Sequence, residues 1–273
     1  RRPMQWENLT ASDFATAVHD TNTCVIAMGV VEKHSEHLPL GTDYLIGHRI
    51  ACLAAERESA VVFPPFYFGQ IYEARCFPGT VTIRPGLLVE LIQGTLDEIG
   101  RNGFGKIVVY NAHGGNWHLI QFLAQCALWE QKPYQIYIPL HHLTPEGLKR
   151  WEEIRGTTYG GHADEEETSL ILGTYPHLAR LDRVPAEPAR RRGRMDHLPP
   201  TFSGIAWYSD YPDHYAGDAR TADVVRGQEL VALYVDALAQ YIAAVKADTV
   251  TPALTAEFYA RVQHLTDGEQ EAY

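Results

Sequence analysis

Residues 23–31, TCVIAMGVV, form a nearly continuous apolar run that constrains the fold more than any other feature of this chain. A strand exposed on one face alternates polar and apolar side chains, whereas an uninterrupted apolar run fits a strand buried on both faces. A second such run is KIVVY at residues 106–110, and shorter apolar segments lie at 60–63 and 134–139. We therefore predict a sheet whose strands are buried on both sides.

Helical patterns separate these strands. The pattern predicts helices over residues 43–58, 85–101 and 116–131, with Pro85 at a first helical position and Gly103 as a stop signal. Because strands and helices alternate, we expect a mostly parallel sheet with helices on both faces. Further segments are predicted as a strand at 80–83, a less regular region at 141–161, a helix at 164–172, an exposed arginine-containing loop at 185–200, and helices at 221–246 and 253–264.

Charge and length limit the classes of partner. The 273 residues fit one domain, 1–273, and their net charge is −11, from 23 basic and 34 acidic residues. A nucleic-acid binder normally presents a basic face, and an anionic membrane also attracts basic segments, so neither partner is expected. No uninterrupted apolar run approaches the roughly 20 residues of a membrane span, and the polar N-terminus lacks a signal-peptide core. We predict a cytoplasmic protein with a small-molecule substrate.

Three segments concentrate possible metal ligands: EKHSEHLPLGTD at 32–43, NAHGGN at 111–116 and GHADEEETS at 161–169. The first two follow strands of the same predicted sheet, so both emerge at its carboxyl edge, where open α/β sheets bind ligands. In an extended segment Glu32 and His34 project to the same side, and Asp43 is placed to bridge between their metals. Carboxylate and imidazole ligands suit zinc, manganese or iron(II).

Each of these residues also has an ordinary structural explanation. Asp43 fits a helix cap, the acidic residues 165–167 complement a helix dipole, and the glycines after His113 fit a tight turn. Single histidines such as His37 or His142 are usually not ligands. Three ligand-rich segments in one chain, two of them at one sheet edge, nevertheless favour a metal site.

The three segments resemble the signatures of the creatininase family, E-x-H-G-x-H-L-P-x-x-T-D, N-G-H-G-G-N and H-A-x-x-x-E-T-S. A further family element, F-P-G-T, matches residues 77–80, and the resemblance covers residues 23–172 in the family's order. It implies a three-layer α/β/α sandwich with a mostly parallel central sheet, assembled as a homo-oligomer, commonly a hexamer.

The resemblance also implies a site with two divalent metal ions per chain, with zinc favoured and manganese or iron as alternatives. Glu32 and His113 would bind one metal and His34 the other, and Asp43 would bridge them. Glu167 would complete the second metal's shell and share the catalytic work with His162, the proton-transferring residue. The implied ligands are therefore Glu32, His34, Asp43, His113 and Glu167.

Some positions depart from the family pattern. Ser35 and Ala112 stand where family members usually have glycine, and Ala74 where many have a histidine. In creatininase itself a glutamate ligand precedes the last asparagine of the second motif, whereas this chain has Gly115 there. These departures put creatinine itself in doubt as the substrate.

The sequence favours a metal-dependent hydrolase that directs a binuclear-metal-activated water at the carbonyl of a small polar substrate. A cyclic amide or ketone, and C–N bond hydrolysis, are favoured, because the resemblance spans amide, peptide and formamide hydrolysis. It also includes ring opening of oxidised inositols, so a C–C hydrolase is an alternative. A non-catalytic metal-binding or assembly protein on the same fold is another. A serine α/β-hydrolase would explain His113-Gly114-Gly115, but the chain has no G-x-S-x-G elbow.

Overall fold

The central sheet of the computed structural model, which describes residues 4–157 and 159–265, is parallel throughout. The strands described are β1 Thr23–Met28, β2 Val61–Val62, β3 Lys106–Asn111, β4 Gln135–Tyr137, β5 Gly160–His162 and β6 Ala216–Gly217. The central strands lie in the order β2-β1-β3-β4. Strands β5 and β6 form a separate antiparallel pair.

Helices cover both faces of this sheet. Those in the described ranges are α1 Ala11–Thr21, α2 Thr42–Arg57, α3 Pro85–Arg101, α4 Trp117–Cys126, α5 Pro145–Ile154, α6 Glu165–Thr174, α7 Ala206–Asp210, α8 Val224–Ala247 and α9 Val250–Gln263.

The side chains of β1 show how the layers form, because successive residues of a strand point to opposite faces. Cys24, Ile26 and Met28 pack into a cluster with α1, α3 and α4. Val25 and Ala27 pack into the other cluster, with α2, α6 and α8. All five side chains are buried, as the apolar run predicts. The predicted three-layer α/β/α sandwich is confirmed.

The chain order of the strands creates a crevice at one edge of the sheet. From β1 the chain crosses to β2 on one side, and it later returns to β3 on the other side of β1. Met28 and Asn111, the last residues of β1 and β3, are aligned in register. Ligands of α/β proteins bind at such a switch point, and two of the three ligand-rich segments leave the sheet here.

Two parts of the secondary-structure prediction are wrong. Residues 80–83 form no strand, because Val81 makes a single backbone hydrogen bond, to Val31 O at 3.0 Å, and no ladder follows it. The region expected to be less regular contains α5, which begins at Pro145. Its N-cap is Thr144, whose hydroxyl accepts a hydrogen bond from Gly147 N at 3.0 Å, so the start signal was present in the sequence.

Helix α8 is long and apolar enough to cross a membrane, judged by length and composition alone. The helix contains no uninterrupted apolar run of this length, because charged residues such as Glu229 and Asp236 lie between its apolar residues. Leu230, Leu238 and Ile242 are buried in the cluster that α8 shares with α2 and α6. The helix therefore forms part of the core layer in this fold.

The loop at 185–200 is tied to the segment around α7 by its arginines. Arg191 pairs with Asp196 and with Asp210, and Arg192 pairs with Asp213 at 2.8 Å. Arg194 Nε donates to Ser209 O at 2.5 Å. An anion-binding or subunit-contact role for this loop stays a prediction.

Candidate metal centre

The loop after β1 places Glu32 and His34 inside the molecule, with 1% and 0% of their surface exposed. Glu32 N donates to Leu40 O at 2.9 Å, which folds the loop back on itself. Ser35, the next residue after His34, has a left-handed backbone with φ of 55°. Its N–H donates to His214 O at 3.3 Å, so a distant segment fixes the turn that directs His34 inward.

The first ligand group consists of Glu32, Asp43 and His113. His113 Nδ1 lies 3.0 Å from Glu32 Oε1 and 2.8 Å from Asp43 Oδ2. The other ring nitrogen, Nε2, lies 3.0 Å from Gln70 O. Because a carbonyl oxygen only accepts, the ring hydrogen belongs on Nε2, and Nδ1 presents a bare lone pair.

When the imidazole of His113 is neutral, none of the three facing atoms, His113 Nδ1, Glu32 Oε1 and Asp43 Oδ2, carries a hydrogen. Glu32 Oε1 and Asp43 Oδ2 are buried and have no hydrogen-bond partner among the described residues. Ligands about 2.0–2.1 Å from a tetrahedral zinc lie roughly 3.4 Å apart. The two distances from His113 Nδ1 are slightly shorter than this, and such a buried group of ligand atoms fits a divalent cation.

The second group is built around His34. Its Nδ1 lies 3.2 Å from Glu32 O and so carries the hydrogen of the neutral ring, and its Nε2 lies 3.0 Å from Asp43 Oδ1 and 3.7 Å from Glu167 Oε2. The two oxygens of Asp43 therefore face two different imidazoles, as expected for a bridging carboxylate. A backbone carbonyl fixes the tautomer of each imidazole, an arrangement typical of metal-binding histidines.

Helix α6 supplies Glu167. The N-cap is Asp164, whose side chain accepts hydrogen bonds from Glu167 N at 3.2 Å and Gly161 N at 2.8 Å. The Glu167 carboxylate is thus not needed as a cap. Its Oε2 instead accepts from Ala163 N at 2.5 Å, and Ala163 has a left-handed backbone with φ of 53°. The turn before α6 holds this carboxylate towards His34.

His162 is buried next to the ligand groups. Its Nε2 donates to Lys33 O at 2.8 Å, and its ring centroid lies 4.3 Å from that of His34. The His162 side chain belongs to two groups whose possible ligand atoms lie within 4.8 Å of one another, one with His34 and Glu167 and one with Glu32 and His214. The structure thus brings together every predicted site residue; their individual roles stay predictions.

His214 is the buried neighbour that the sequence analysis missed. Its Nε2 lies 2.5 Å from Glu32 Oε2, so it holds the oxygen of Glu32 that does not face His113. Its backbone is left-handed, with φ of 54°. A single histidine in a loop, 182 positions from its partner, carries no local signal of this contact.

The ionisation of the site follows from burial and charge together. Burial alone would raise the pKa of Glu32, but the imidazoles of His162 and His113 hold that pKa well below its usual range. Burial would lower the pKa of His34, yet the carboxylates of Asp43 and Glu167 raise it to about 10. Burial raises the pKa of Glu167 to about 8 and lowers that of His162 to about 3. In the metal-free protein, His34 is therefore protonated at neutral pH, and its positive charge takes the place of a bound cation.

A cavity of about 500 Å³ opens onto this centre. Asp43, His113 and Glu167 form part of its wall, whereas Glu32, His34 and His162 are not among its lining residues. Trp117 and Trp151 line other parts of it. The centre is thus reached from one side, through a partly aromatic cavity large enough for a small molecule.

Fold and site together define an α/β protein with a buried carboxylate–histidine centre suited to divalent metals. The family model "Creatininase: Creatinine amidohydrolase" matches residues 7–242, and the chain belongs to the creatininase family.

Relatives in this family act on different substrates. The chain is 26% identical over 250 residues to creatinine amidohydrolase of Pseudomonas putida, covering 80% of this chain and 88% of that protein. It is 24% identical to 3-dehydro-scyllo-inosose hydrolase of Thermotoga maritima, covering 87% and 82%. It is 28% identical to the mycofactocin precursor peptide peptidase of Mycolicibacterium smegmatis, covering 80% and 83%. These relatives are hydrolases.

Solved structures agree with the fold. A creatinine amidohydrolase structure superposes with a TM-score of 0.76 at 23% identity, covering 91% of this chain and 100% of that one. A mutant creatininase of the Zn–Zn type has a TM-score of 0.75 at 22% identity, covering 91% and 100%. A manganese creatininase has a TM-score of 0.74 at 23% identity, covering 90% and 100%.

Proposed function

We propose that this protein is a metal-dependent hydrolase whose two divalent cations are held by Glu32, His34, Asp43, His113 and Glu167. The observation that carries the proposal is the placement of Asp43, with one imidazole nitrogen within 3.0 Å of each of its two oxygens. Zinc is favoured, because carboxylate and imidazole ligands at these distances suit it. Manganese or iron is the alternative.

Cations bound in such a centre lower the pKa of water from about 16 towards about 7 and polarise a carbonyl group. Asn111 forms part of the cavity wall, so we propose that its side chain helps to position the substrate. With Nε2–H of His162 committed to Lys33 O, Nδ1 is free of hydrogen. We propose that His162 transfers a proton between the attacking water and the leaving group, the role that the family resemblance implies.

The favoured reaction is C–N bond hydrolysis of a small polar, cyclic amide. Similarity to creatinine amidohydrolase and to a peptide peptidase supports an amide. Similarity to an inosose hydrolase supports the second candidate, C–C ring opening of an oxidised inositol. Measuring hydrolysis of a set of cyclic amides and a set of cyclic polyhydroxy ketones would decide between these two reactions.

The test begins with the metal content of untagged protein, measured by elemental mass spectrometry. We expect about two divalent ions per chain. His34→Ala and Asp43→Ala should each lose metal and lower activity by more than about a hundredfold, while far-ultraviolet circular dichroism stays unchanged. His19→Ala is the matched control, because His19 is an exposed histidine on α1.

Unchanged turnover in the His34 or Asp43 variant would contradict the proposal that hydrolysis depends on metals bound by these residues. Failure to bind any metal after reconstitution would leave the non-catalytic alternative.

We further propose a cytoplasmic homo-oligomer. Large apolar side chains at the surface support self-association, among them Trp129 at 92% exposure and, on α9, Leu254 and Phe258. Light scattering on a sizing column should show more than one chain per particle, with a hexamer expected from the family resemblance.

A further inference from the structure

His214 lies at the metal centre although it belongs to a distant part of the chain, after α7. Its side chain is 2% exposed, and its Nε2 lies 2.5 Å from Glu32 Oε2. Because a carboxylate oxygen only accepts, the ring nitrogen is the donor. A hydrogen bond to an ionised group is shorter and stronger than one between neutral groups. The side chain of Glu32 is thus tied to a segment that follows it by 182 positions.

This hydrogen bond decides which oxygen of Glu32 faces the first ligand group. Oε1 lies 3.0 Å from His113 Nδ1, and the same nitrogen lies 2.8 Å from Asp43 Oδ2. The terminal torsion of a glutamate side chain has no sharp minimum, so a free carboxylate rotates easily. With Oε2 held by His214, such rotation would break a buried hydrogen bond, and Oε1 stays directed towards His113.

The imidazole of His214 is itself held in place. Its ring centroid lies 4.5 Å from that of His162 and 5.4 Å from that of Phe77. Its backbone N–H donates to Tyr211 O at 3.0 Å, and its φ of 54° is left-handed. Such a backbone persists only where the surrounding contacts impose it. A group restrained in this way can restrain a metal ligand in turn.

We infer that His214 is a positioning residue that keeps Glu32 aligned for the cation bound with Asp43 and His113. The inference rests on the proposed function, because that cation belongs to the proposed metal centre. Outer hydrogen bonds to metal ligands commonly contribute about 10–100-fold to metal affinity. The imidazole of His34 has its own support in a backbone carbonyl. The contribution of the His214 side chain is therefore confined to one of the two cations.

Two substitutions separate the hydrogen bond from the backbone turn. In His214→Asn the amide takes the place of Nδ1 and does not reach Glu32, although asparagine tolerates left-handed backbone well. In His214→Gln the amide nitrogen takes the place of Nε2 and can donate to Glu32 Oε2. Asparagine thus suits the turn better, and glutamine suits Glu32 better. His177→Asn is the matched control, because it makes the same change at an exposed histidine.

The experiment titrates metal-free protein with zinc in a calorimeter, in competition with a chelator, so that two binding steps are resolved. We expect His214→Asn to weaken one step by about 10–100-fold and to leave the other within about threefold of wild type. His214→Gln and His177→Asn should bind both zinc ions within about threefold of wild type. In a His113→Ala background, which lacks the affected site, His214→Asn should change the remaining step by less than about threefold.

Unchanged zinc binding in His214→Asn overturns the inference. Equal weakening of both steps does so too, because a general loss of structure would act on both sites. A His214→Gln variant that binds zinc no better than His214→Asn would also contradict it, since the two differ in their reach towards Glu32.

Nuclear magnetic resonance of wild-type protein with isotope-labelled histidine gives a second test, which decides alone if the variants do not fold. The ring N–H of His214, assigned through its proximity to the Phe77 ring, should stay visible and protected from exchange after zinc is bound. His214 also belongs with Glu32 and His162 to a group whose possible ligand atoms lie within 4.8 Å of one another. Loss of the N–H signal on zinc loading would show that His214 is itself a ligand, and would overturn the positioning role.

Hydrolysis is measured on the same samples, so that the two proposals fail separately. Zinc binding that depends on His214, without hydrolysis of any tested substrate, would reject the proposed function and keep the positioning role. Hydrolysis by a protein whose zinc binding does not depend on His214 would do the reverse.

Discussion

Gly115 shows how one residue determines the orientation of a proposed metal ligand, His113. A Cβ added there would lie 2.5 Å from His113 Nε2 and 2.6 Å from Gln70 Oε1, closer than real Cβ atoms approach such atoms. The hydrogen bond from Nε2 to Gln70 O, which fixes the tautomer of His113, needs this space. Gly115, which matches the family motif but differs from the glutamate of creatininase itself, therefore helps to position His113 in this chain.

We expect Gly115→Ala to displace the His113 ring and weaken metal binding by about 10–100-fold, the usual effect of losing an outer hydrogen bond to a ligand. Chelator competition at neutral pH measures the affinity. Gly114→Ala is the matched control, because a Cβ at Gly114 has nothing within 4 Å. Equal affinities for the two variants would show that Gly115 does not orient the ligand.

His214 contacts both Glu32 and the turn beside His34. Its side chain holds Glu32 Oε2, and its carbonyl accepts from Ser35 N beside His34. Three of the four described non-glycine residues with positive φ, namely Ser35, Ala163 and His214, lie in this site. Left-handed backbone at such residues is unfavourable and persists only where surrounding contacts impose it.

At the scale of elements, α6 and α8 pack almost backbone to backbone. A Cβ at Gly227 would lie within 2 Å of Ser169 O, and one at Gly173 would lie 2.6 Å from the carbonyl carbon of Gly227. The close approach needs glycine on both helices. Since α6 carries Glu167, this contact positions one wall of the cavity.

Strand β3 and helix α8 are joined by a buried lysine. Lys106 Nζ donates to three carbonyl oxygens at the end of α8, those of Val245 at 2.7 Å, Lys246 at 2.8 Å and Asp248 at 2.6 Å. The ammonium group supplies the donors and the positive charge that a helix C-terminus favours.

We expect Lys106→Met to lower the free energy of unfolding by about 2–4 kcal/mol, because it leaves these carbonyl oxygens without their charged donor. Urea unfolding of the metal-loaded protein measures the change. Lys149→Met, at an exposed position of α5, should change it by less than about 0.5 kcal/mol. A similar loss in both variants would contradict the capping role.

For the whole molecule, the centre couples stability to pH. Without metal, the folded state holds protons on His34 up to a pKa of about 10 and on Glu167 up to about 8, and the pKa of His113 is raised as well. In the unfolded chain these groups release their protons at about 6.5 for histidine and 4.3 for glutamate. The stabilisation from His34 is complete below about 6.5 and is lost as pH rises towards 10.

We therefore expect the melting temperature of metal-free protein to fall between pH 7 and 9. Cations replace these protons in the metal-loaded protein, so its melting temperature should change less and the gap between the two forms should widen. Calorimetry on chelated and reconstituted samples measures this gap. A gap that narrows with rising pH would show that protons and metals do not compete for the centre.

Much of the fold follows from local patterns. The apolar runs at β1 and β3 predict buried parallel strands, and the spacing of Glu32, His34 and Asp43 predicts ligands at the sheet edge. Such features depend on residues close together in the chain, whose periodicity reflects burial directly. The strand predicted at 80–83 does not form. Strand pairing depends on a neighbouring strand, which the sequence of the segment itself does not encode.

The sequence by itself determined the layered α/β architecture, the family and the ligand-bearing segments, because periodicity and motif spacing are local properties. Only the tertiary structure decided that His214 reaches Glu32 and that Gly115 leaves room for the His113 ring. The physical reason is the same in each case. These contacts join residues far apart in the chain, and their geometry is set by how the layers pack.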